Sequence, residues 1–559
     1  MTNGWNRREI LSALLISTPG AAALAAALAD GDLSCAAGPE GKPRPRITIS
    51  KETTYITEPL RPDGYPDYVA ALNQRCRQGV TPENNAAVLV WKALGPDAIE
   101  PPHREAYWKM LGIAPLPEQG DYFRGFYAHA SAWSVKNGVP DEEAEKRLSE
   151  QFDVAMKRPW SAKEFPILAE WLQVNERPMR LLAEASKRPR RYDPWFWTKD
   201  GDSIDLGPLP ISAYRDCVRA FALRAMLRLH AGQPEAACDD IVAIHRFARL
   251  LAQGPTMIES LVAVTIDGIA RQKLWVLLEK TGLPETSLAA IQREFVSSPA
   301  IGNAAQMFGL GERFFLLAGV CSAARKPTAE RNGFLTRMEG MIVFDGTHAR
   351  LKPLLELLGN AEIDWDIALR EGNAWSDRLV AAFGQPERAK RNKAIAEMQT
   401  ELDQLERSRK NVESLRSLPA AERSKTAMQW ICDLYVAIFV GGNILWRNIV
   451  SRVAAETELT RVAFALREYR IDRGVYPATL AELTPKYIAA VPKDIFAKDA
   501  ELRYRREGDG YCVYSVGING RDDGGRGLEE YSAAHPASEA TTPGEQWDDI
   551  VVRVGTTKR

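Results

Sequence analysis

The chain has 559 residues, 45% hydrophobic and 26% charged, enough for two to four domains with ordinary cores and a composition that excludes disorder as the general state. Lysine plus arginine number 72 against 73 aspartate plus glutamate, so no basic excess argues for nucleic acid as a partner. No pair of the seven cysteines has CxxC spacing and the six histidines form no HExxH, which leaves zinc-knuckle, thioredoxin-type and zincin readings without support.

Residues 1–29 have the three parts of an export signal: Arg7-Arg8, an apolar alanine-rich stretch, and Ala27-Leu28-Ala29 before Asp30. The twin arginine followed by Ile10-Leu11 resembles the twin-arginine translocation consensus, a bacterial route for folded proteins. It implies a periplasmic or cell-envelope location. Pro19-Gly20 and the flanking Asp30 and Asp32 favour cleavage; left uncleaved, residues 10–29 would hold the chain at a membrane. Residues 30–46 read as a Pro/Gly-rich linker. Cys35 follows Asp32-Leu33-Ser34, a poor lipobox. An odd cysteine count leaves at least one thiol unpaired, and wide spacing in helical surroundings makes the cysteines buried small hydrophobes.

Residues 47–375 predict a helical body. Thr81-Pro82-Glu83 combines a cap, a first-turn proline and an acid at the positive helix end, for a helix running to Gly95. Asp141-Glu142-Glu143 opens another, and Ser161 caps one with Phe165, Leu168, Trp171 and Leu172. From Ile211 to about Leu288 apolar residues recur at three- and four-residue steps, broken at Gly232-Gln233-Pro234 and at Gly254-Pro255. This predicts an antiparallel helix hairpin. His230 and His245 flank its turn and read as one helix-end and one helix-face histidine.

Residues 376–450 predict a charged arm and an apolar helix. Ile395, Met398, Leu402 and Leu405 define a coiled-coil-like seam within 388–418, ended by Pro419. It suits a hairpin arm, and homodimerisation is the sharper reading. Trp430 to Trp446 is apolar but interrupted by Asp433 and Gly441-Gly442-Asn443, too short for a span and suited to a core helix.

Residues 451–559 predict a small α+β unit. An amphipathic helix from Glu456 to Arg473 ends at Gly474. Tyr476-Pro477 is extended, and Thr479-Leu480-Ala481-Glu482 is a capping box. Leu502–Arg505 and Tyr511–Val516 flank a Gly508-Asp509-Gly510 hairpin, with a third strand from Asp549 to Val554. The fold class is thus mainly α: a helical-hairpin body, a charged arm and a C-terminal long helix on an antiparallel sheet.

The ordered set Gly474, Tyr476, Pro477, Leu480, Leu483, Pro492, Asp494, Ser515, Gly517, Gly520, Gly524, Gly525 and Trp547 resembles the C-terminal domain of the major pseudopilins of type II secretion. The resemblance covers about the last fifth of the chain. It implies a calcium ion held near the C-terminus, with Asp522, Asp523, Asp548 and Asp549 as the positions that carry over, in a loop longer than the family's. No prepilin-peptidase motif precedes the apolar segment, so filament assembly is not implied. The expected role is a non-enzymatic exported protein that docks on a secretion-apparatus or envelope protein. The alternative is an exported hydrolase acting on envelope or polysaccharide substrates, using Asp364, Asp366 and Asp377 near Trp195-Phe196-Trp197. No GxSxG, P-loop or Rossmann fingerprint accompanies it.

Overall fold

The computed structural model describes residues 46–205, 211–279, 283–299, 301–342, 351–358, 363–408, 412–444, 446–498, 500–528, 530–531 and 546–555. The export signal, all but residue 46 of the linker, and Cys35 lie outside them. The protein is mainly α, with two small antiparallel sheets.

Seven helices come first: α1 Tyr68–Cys76, α2 Ala86–Leu94, α3 Pro101–Leu111, α4 Phe126–Asn137, α5 Asp141–Lys157, α6 Pro166–Val174 and α7 Glu176–Ser186. A two-residue ribbon follows, β1 Phe196–Trp197 against β2 Ile204–Asp205. Then come α8 Ile211–His230, α9 Pro234–Leu251, α10 Met257–Glu279, α11 Glu285–Ser297 and α12 Ala304–Arg325, which contains a π-turn at Met307–Gly311. The remaining helices are α13 Thr328–Ile342, α14 Leu351–Leu358, α15 Trp365–Phe383, α16 Arg388–Ser408, α17 Ala420–Ile444 and α18 Trp446–Arg473. The chain ends in β3 Arg503–Glu507, β4 Gly510–Ser515 and β5 Ile550–Val554, in the order β3-β4-β5.

Local chemistry explains most boundaries. Gly95 ends α2 at φ 81° and Gly474 follows α18 at φ 76°, a left-handed backbone that glycine adopts without steric cost. Two expected caps move. Thr81 does not cap α2: its hydroxyl and the Asn84 carbonyl exchange bonds with each other's backbone N–H in a turn. Asn85 caps instead, accepting from Ala87 N at 3.1 Å and from Tyr192 N at 3.0 Å, so a tertiary contact across the chain chooses the start. Ser161 likewise closes a turn on Glu164 N, and α6 opens at Pro166, whose missing N–H suits a first helical position.

The predicted hairpin is present as α8 and α9, and α10 packs along both. One hydrophobic core runs from these helices through α18 into the C-terminal sheet, joining Phe221, Ile244, Leu274, Leu459, Val462, Tyr511, Val513 and Val552. The boundaries read at 375/376 and 450/451 fall inside α15 and α18. A second core unites the start of the described chain with α12, α14, α15 and α17, including Tyr68, Phe314, Leu354, Trp365 and Tyr435. The apolar helix α17 is buried there at Ile431, Cys432 and Tyr435. In the charged arm, Ile395, Met398 and Leu402 are buried inside the same chain, where α16 lies against α15 and α17. The arm's helix is described as far as Ser408, and a 3-10 turn spans Val412–Ser417 within the stretch read as helix. The six described cysteines are unpaired, five of them buried. Burial pushes the Cys76, Cys238 and Cys321 thiols up to about 12, so they behave as small hydrophobes.

Candidate functional site

The C-terminal sheet is fixed by the motif residues of the tail. Tyr476 is buried against Tyr511, ring centroids 4.8 Å apart. The Glu482 carboxylate closes the capping box on Thr479 N at 3.0 Å and accepts from Tyr469 Oη at 2.7 Å, tying the short 3-10 turn to α18. Buried Asp494 accepts from Ser515 Oγ at 2.7 Å and from Val516 N at 2.8 Å. The Pro-x-Asp step and the Ser-x-Gly step are therefore one hydrogen-bonded unit at the end of β4. Gly517 follows with φ 67°, and a Cβ there would collide with Asp548, 2.2 Å from its carbonyl oxygen.

That close approach brings two strands of loop together and, with them, three of the four carboxylates. Asp523 accepts from Asp548 N at 3.2 Å, and Asp549 accepts from Gly525 N at 2.7 Å. Asp548 accepts from Asn519 N at 3.0 Å on one oxygen, while its Oδ1 is buried with no hydrogen bond. Asp523 and Asp549 are buried. Asp522 stands apart, exposed, bound by Tyr514 Oη at 3.0 Å and Arg503 at 3.4 Å.

The electrostatics follow from the crowding. Burial pushes the Asp549 carboxyl up to about 6, and the charges of Asp523 and Asp522 push the same way. Burial raises Asp548 too. Burial also acts on Asp522, but Gly524 N, the Tyr514 hydroxyl and Arg503 outweigh it and hold that carboxyl low. Arg521 Nε reaches Asp523 at 2.8 Å and is half exposed. The donor set is hard oxygen in a glycine-rich loop, the chemistry that suits calcium. Among the described residues no three His, Cys, Asp or Glu side chains stand at metal-ligand spacing, so main-chain carbonyls would have to complete a shell around Asp523, Asp548 and Asp549.

The acids of the hydrolase reading are placed otherwise. Asp364 caps α15 by accepting from Asp366 N at 3.1 Å, and Asp366 accepts from Thr48 N at 2.9 Å. Asp377 pairs with Arg313. Trp195 is core, and Trp197 donates to Asp67 at 3.1 Å beneath the Arg61 guanidinium. These groups serve packing and capping.

Sequence reasoning missed a second constellation. His230 is exposed at the end of α8, but His245 is fully buried, its Nδ1 2.6 Å from Asp267 Oδ1. Asp267 sits on α10, a helix of otherwise apolar neighbours (Val262, Ala263, Val264, Ile266, Ile269, Ala270). An aspartate on that face is the sequence signal, because a buried acid must find partners. Its partners are His245, Arg271 at 2.9 Å and Arg249 at 3.4 Å. Compared with family models, curated proteins and solved structures, the chain has no match.

Proposed function

We propose that this is an exported protein of the bacterial periplasm or cell envelope whose C-terminal segment is a pseudopilin-like interaction module, held in shape by a calcium ion and docking on a secretion-apparatus or envelope protein. The module itself is non-enzymatic. The observation that carries the reading is the meeting of Asp523, Asp548 and Asp549 where two loop segments approach, with the half-exposed Arg521 guanidinium on Asp523. Carboxylates crowded this way favour a bound cation, because each ionised neighbour raises the cost of the next. Asp523, Asp548 and Asp549 would hold the ion, which when bound supplies positive charge and fixes the loop beside Trp547. Arg526 stacks over the Trp547 ring at 4.1 Å, so ordering the loop also orders an aromatic and cationic surface suited to a protein partner.

The test is thermal unfolding of the full chain with calcium and with chelator. Binding to the folded state alone stabilises by about 2.7 kcal/mol at a hundredfold excess over Kd, a shift of several degrees. A melting temperature unchanged by calcium up to 10 mM (about ten to a hundred times an extracellular-type Kd) removes the ion from the reading. Recovery of secretion-apparatus components from envelope extract, lost with chelator, supports the docking role; equal recovery with a tail-deleted chain refutes it.

A further inference from the structure

A cavity of about 650 Å³ opens between α7, α9, α11 and the start of α12, and Ser298 and Arg249 are in its wall. Ser298 caps the end of α11 and is half-buried. Its Oγ lies 3.2 Å from Nε2 of His245, whose Nδ1 lies 2.6 Å from Asp267 Oδ1. We propose that Asp267, His245 and Ser298 form a hydrolytic triad that cleaves small carboxylic esters bound in this cavity. This inference is independent of the calcium loop and assigns chemistry to the helical body.

The order of hydrogens supports it. Burial pushes Asp267 up, but the His245 hydrogen bond and the Arg271 and Arg249 guanidiniums prevail and hold it well below the usual carboxylate range. An ionised Asp267 only accepts, so the His245 proton sits on Nδ1. Burial lowers the His245 pKa, and with the Arg249 and Arg271 charges it outweighs the hydrogen bond and charge of Asp267. The ring is then neutral and Nε2 is an acceptor. Nε2 faces two groups, the Glu294 carbonyl at 3.0 Å and the Ser298 hydroxyl. A carbonyl has no hydrogen to give, so only Ser298 can satisfy Nε2. The hydroxyl donates to the same Glu294 carbonyl at 2.5 Å, and turning about its C–O bond aims that hydrogen at Nε2, 3.2 Å away.

Arg249 completes the arrangement. Its Nη1 donates to the carbonyl of Pro299, next to Ser298, and its Nε is buried without a hydrogen bond. The residue lines the cavity beside Ser298, where its positive charge favours an oxygen that gains charge. In the reaction Ser298 Oγ bonds to the ester carbonyl carbon as its proton passes to Nε2. The leaving alkoxide departs with that proton. Water then adds to the acyl-serine, giving its proton to Nε2, and Oγ takes it back as the carboxylic acid leaves. Lys187, Arg188 and Arg246 also line the cavity, with Glu294 as its acid, so esters whose acyl part carries a carboxylate are favoured.

The full chain is treated with a fluorophosphonate and assayed on p-nitrophenyl hemisuccinate and p-nitrophenyl acetate. A phosphonyl adduct mapped to Ser298 is expected, with hemisuccinate preferred about tenfold, the ratio one charged contact supplies. Ser298→Ala loses at least ~100-fold in kcat/KM, and its fold is checked by near-UV circular dichroism because His245 Nε2 loses a hydrogen-bond partner. His245→Gln loses both adduct and turnover, and its fold is checked by near-UV circular dichroism. Absence of an adduct at Ser298, or a Ser298→Ala protein that hydrolyses either ester at the wild-type rate, overturns the triad.

Discussion

Two buried groups of acids in this molecule meet the same electrostatic problem in opposite ways. In the body, Asp193 and Glu259 each lie 2.7 Å from the Arg191 guanidinium, with all three side chains at most 4% exposed. Trp91 Nε1 and Tyr107 Oη donate to Asp193 at 2.9 and 2.8 Å, and Thr256 Oγ1 donates to Glu259 at 2.8 Å. A third acid, Glu312, accepts from Met257 N beside them; burial first, then the Glu259 charge, pushes it up to about 7. The body thus supplies one cation, a set of donors and a retained proton. The tail loop has three clustered carboxylates, and the guanidinium paired with Asp523 is half in water. Charge balanced from within needs no bound ion, whereas charge left in excess makes a fold depend on one.

The largest effect tests the balanced group. Arg191→Leu strands Asp193 and Glu259 in the core, and removing one partner of a buried network costs about 3–5 kcal/mol. Urea unfolding should show a collapse of that size. A loss under about 1 kcal/mol would mean that water reaches the carboxylates and that the contrast with the tail is false.

Glu312 sharpens the same comparison through pH. Its folded pKa lies above its unfolded value of 4.5. It therefore contributes stability that is fully present below about 4.5 and lost as pH rises through about 7. The loss is on the order of 3 kcal/mol for a shift of this size. Glu312→Gln keeps an acceptor for Met257 N and should flatten that part of the stability–pH curve, making the variant the more stable protein at pH 8. A variant with the wild-type slope assigns the titration elsewhere.

What the sequence revealed and what it hid divide along these lines. The α8–α9 hairpin, the Gly474 stop, the Thr479–Glu482 box and the Gly508-Asp509-Gly510 turn were legible because their causes are local: periodicity, a left-handed glycine, a side chain reaching three residues. The mainly α class followed. The start of α2 was not legible, because Asn85 is recruited by Tyr192 across the chain. Nor was the His245–Asp267–Ser298 group, whose members are 22 and 53 residues from His245. In the tail the four aspartates were named only through the pseudopilin resemblance, and their division into three clustered and one exposed depends on the backbone approach at Gly517. The continuity of the core from α10 into the C-terminal sheet was invisible to composition, since both sides of the join are ordinary amphipathic surfaces.

The smallest expected effect probes the unbalanced group, and it is the one whose sign depends on conditions. Asp548→Asn keeps an oxygen for Asn519 N and puts an amide where Oδ1 has no partner. It also removes one of three crowded charges. Burial raises the folded pKa of Asp548, so its ionisation destabilises the fold as pH rises through that value. At pH 8 in chelator the variant should therefore match or exceed the wild type, by about 1 kcal/mol at most for a partly exposed group. In millimolar calcium the order should reverse, because the wild type gains a ligand oxygen that the amide supplies less well. A crossing of the two melting curves with calcium belongs to a loop whose excess charge serves an ion. Parallel curves, with the variant higher throughout, belong to a loop that merely tolerates repulsion, and the body and tail would then differ in degree and not in kind.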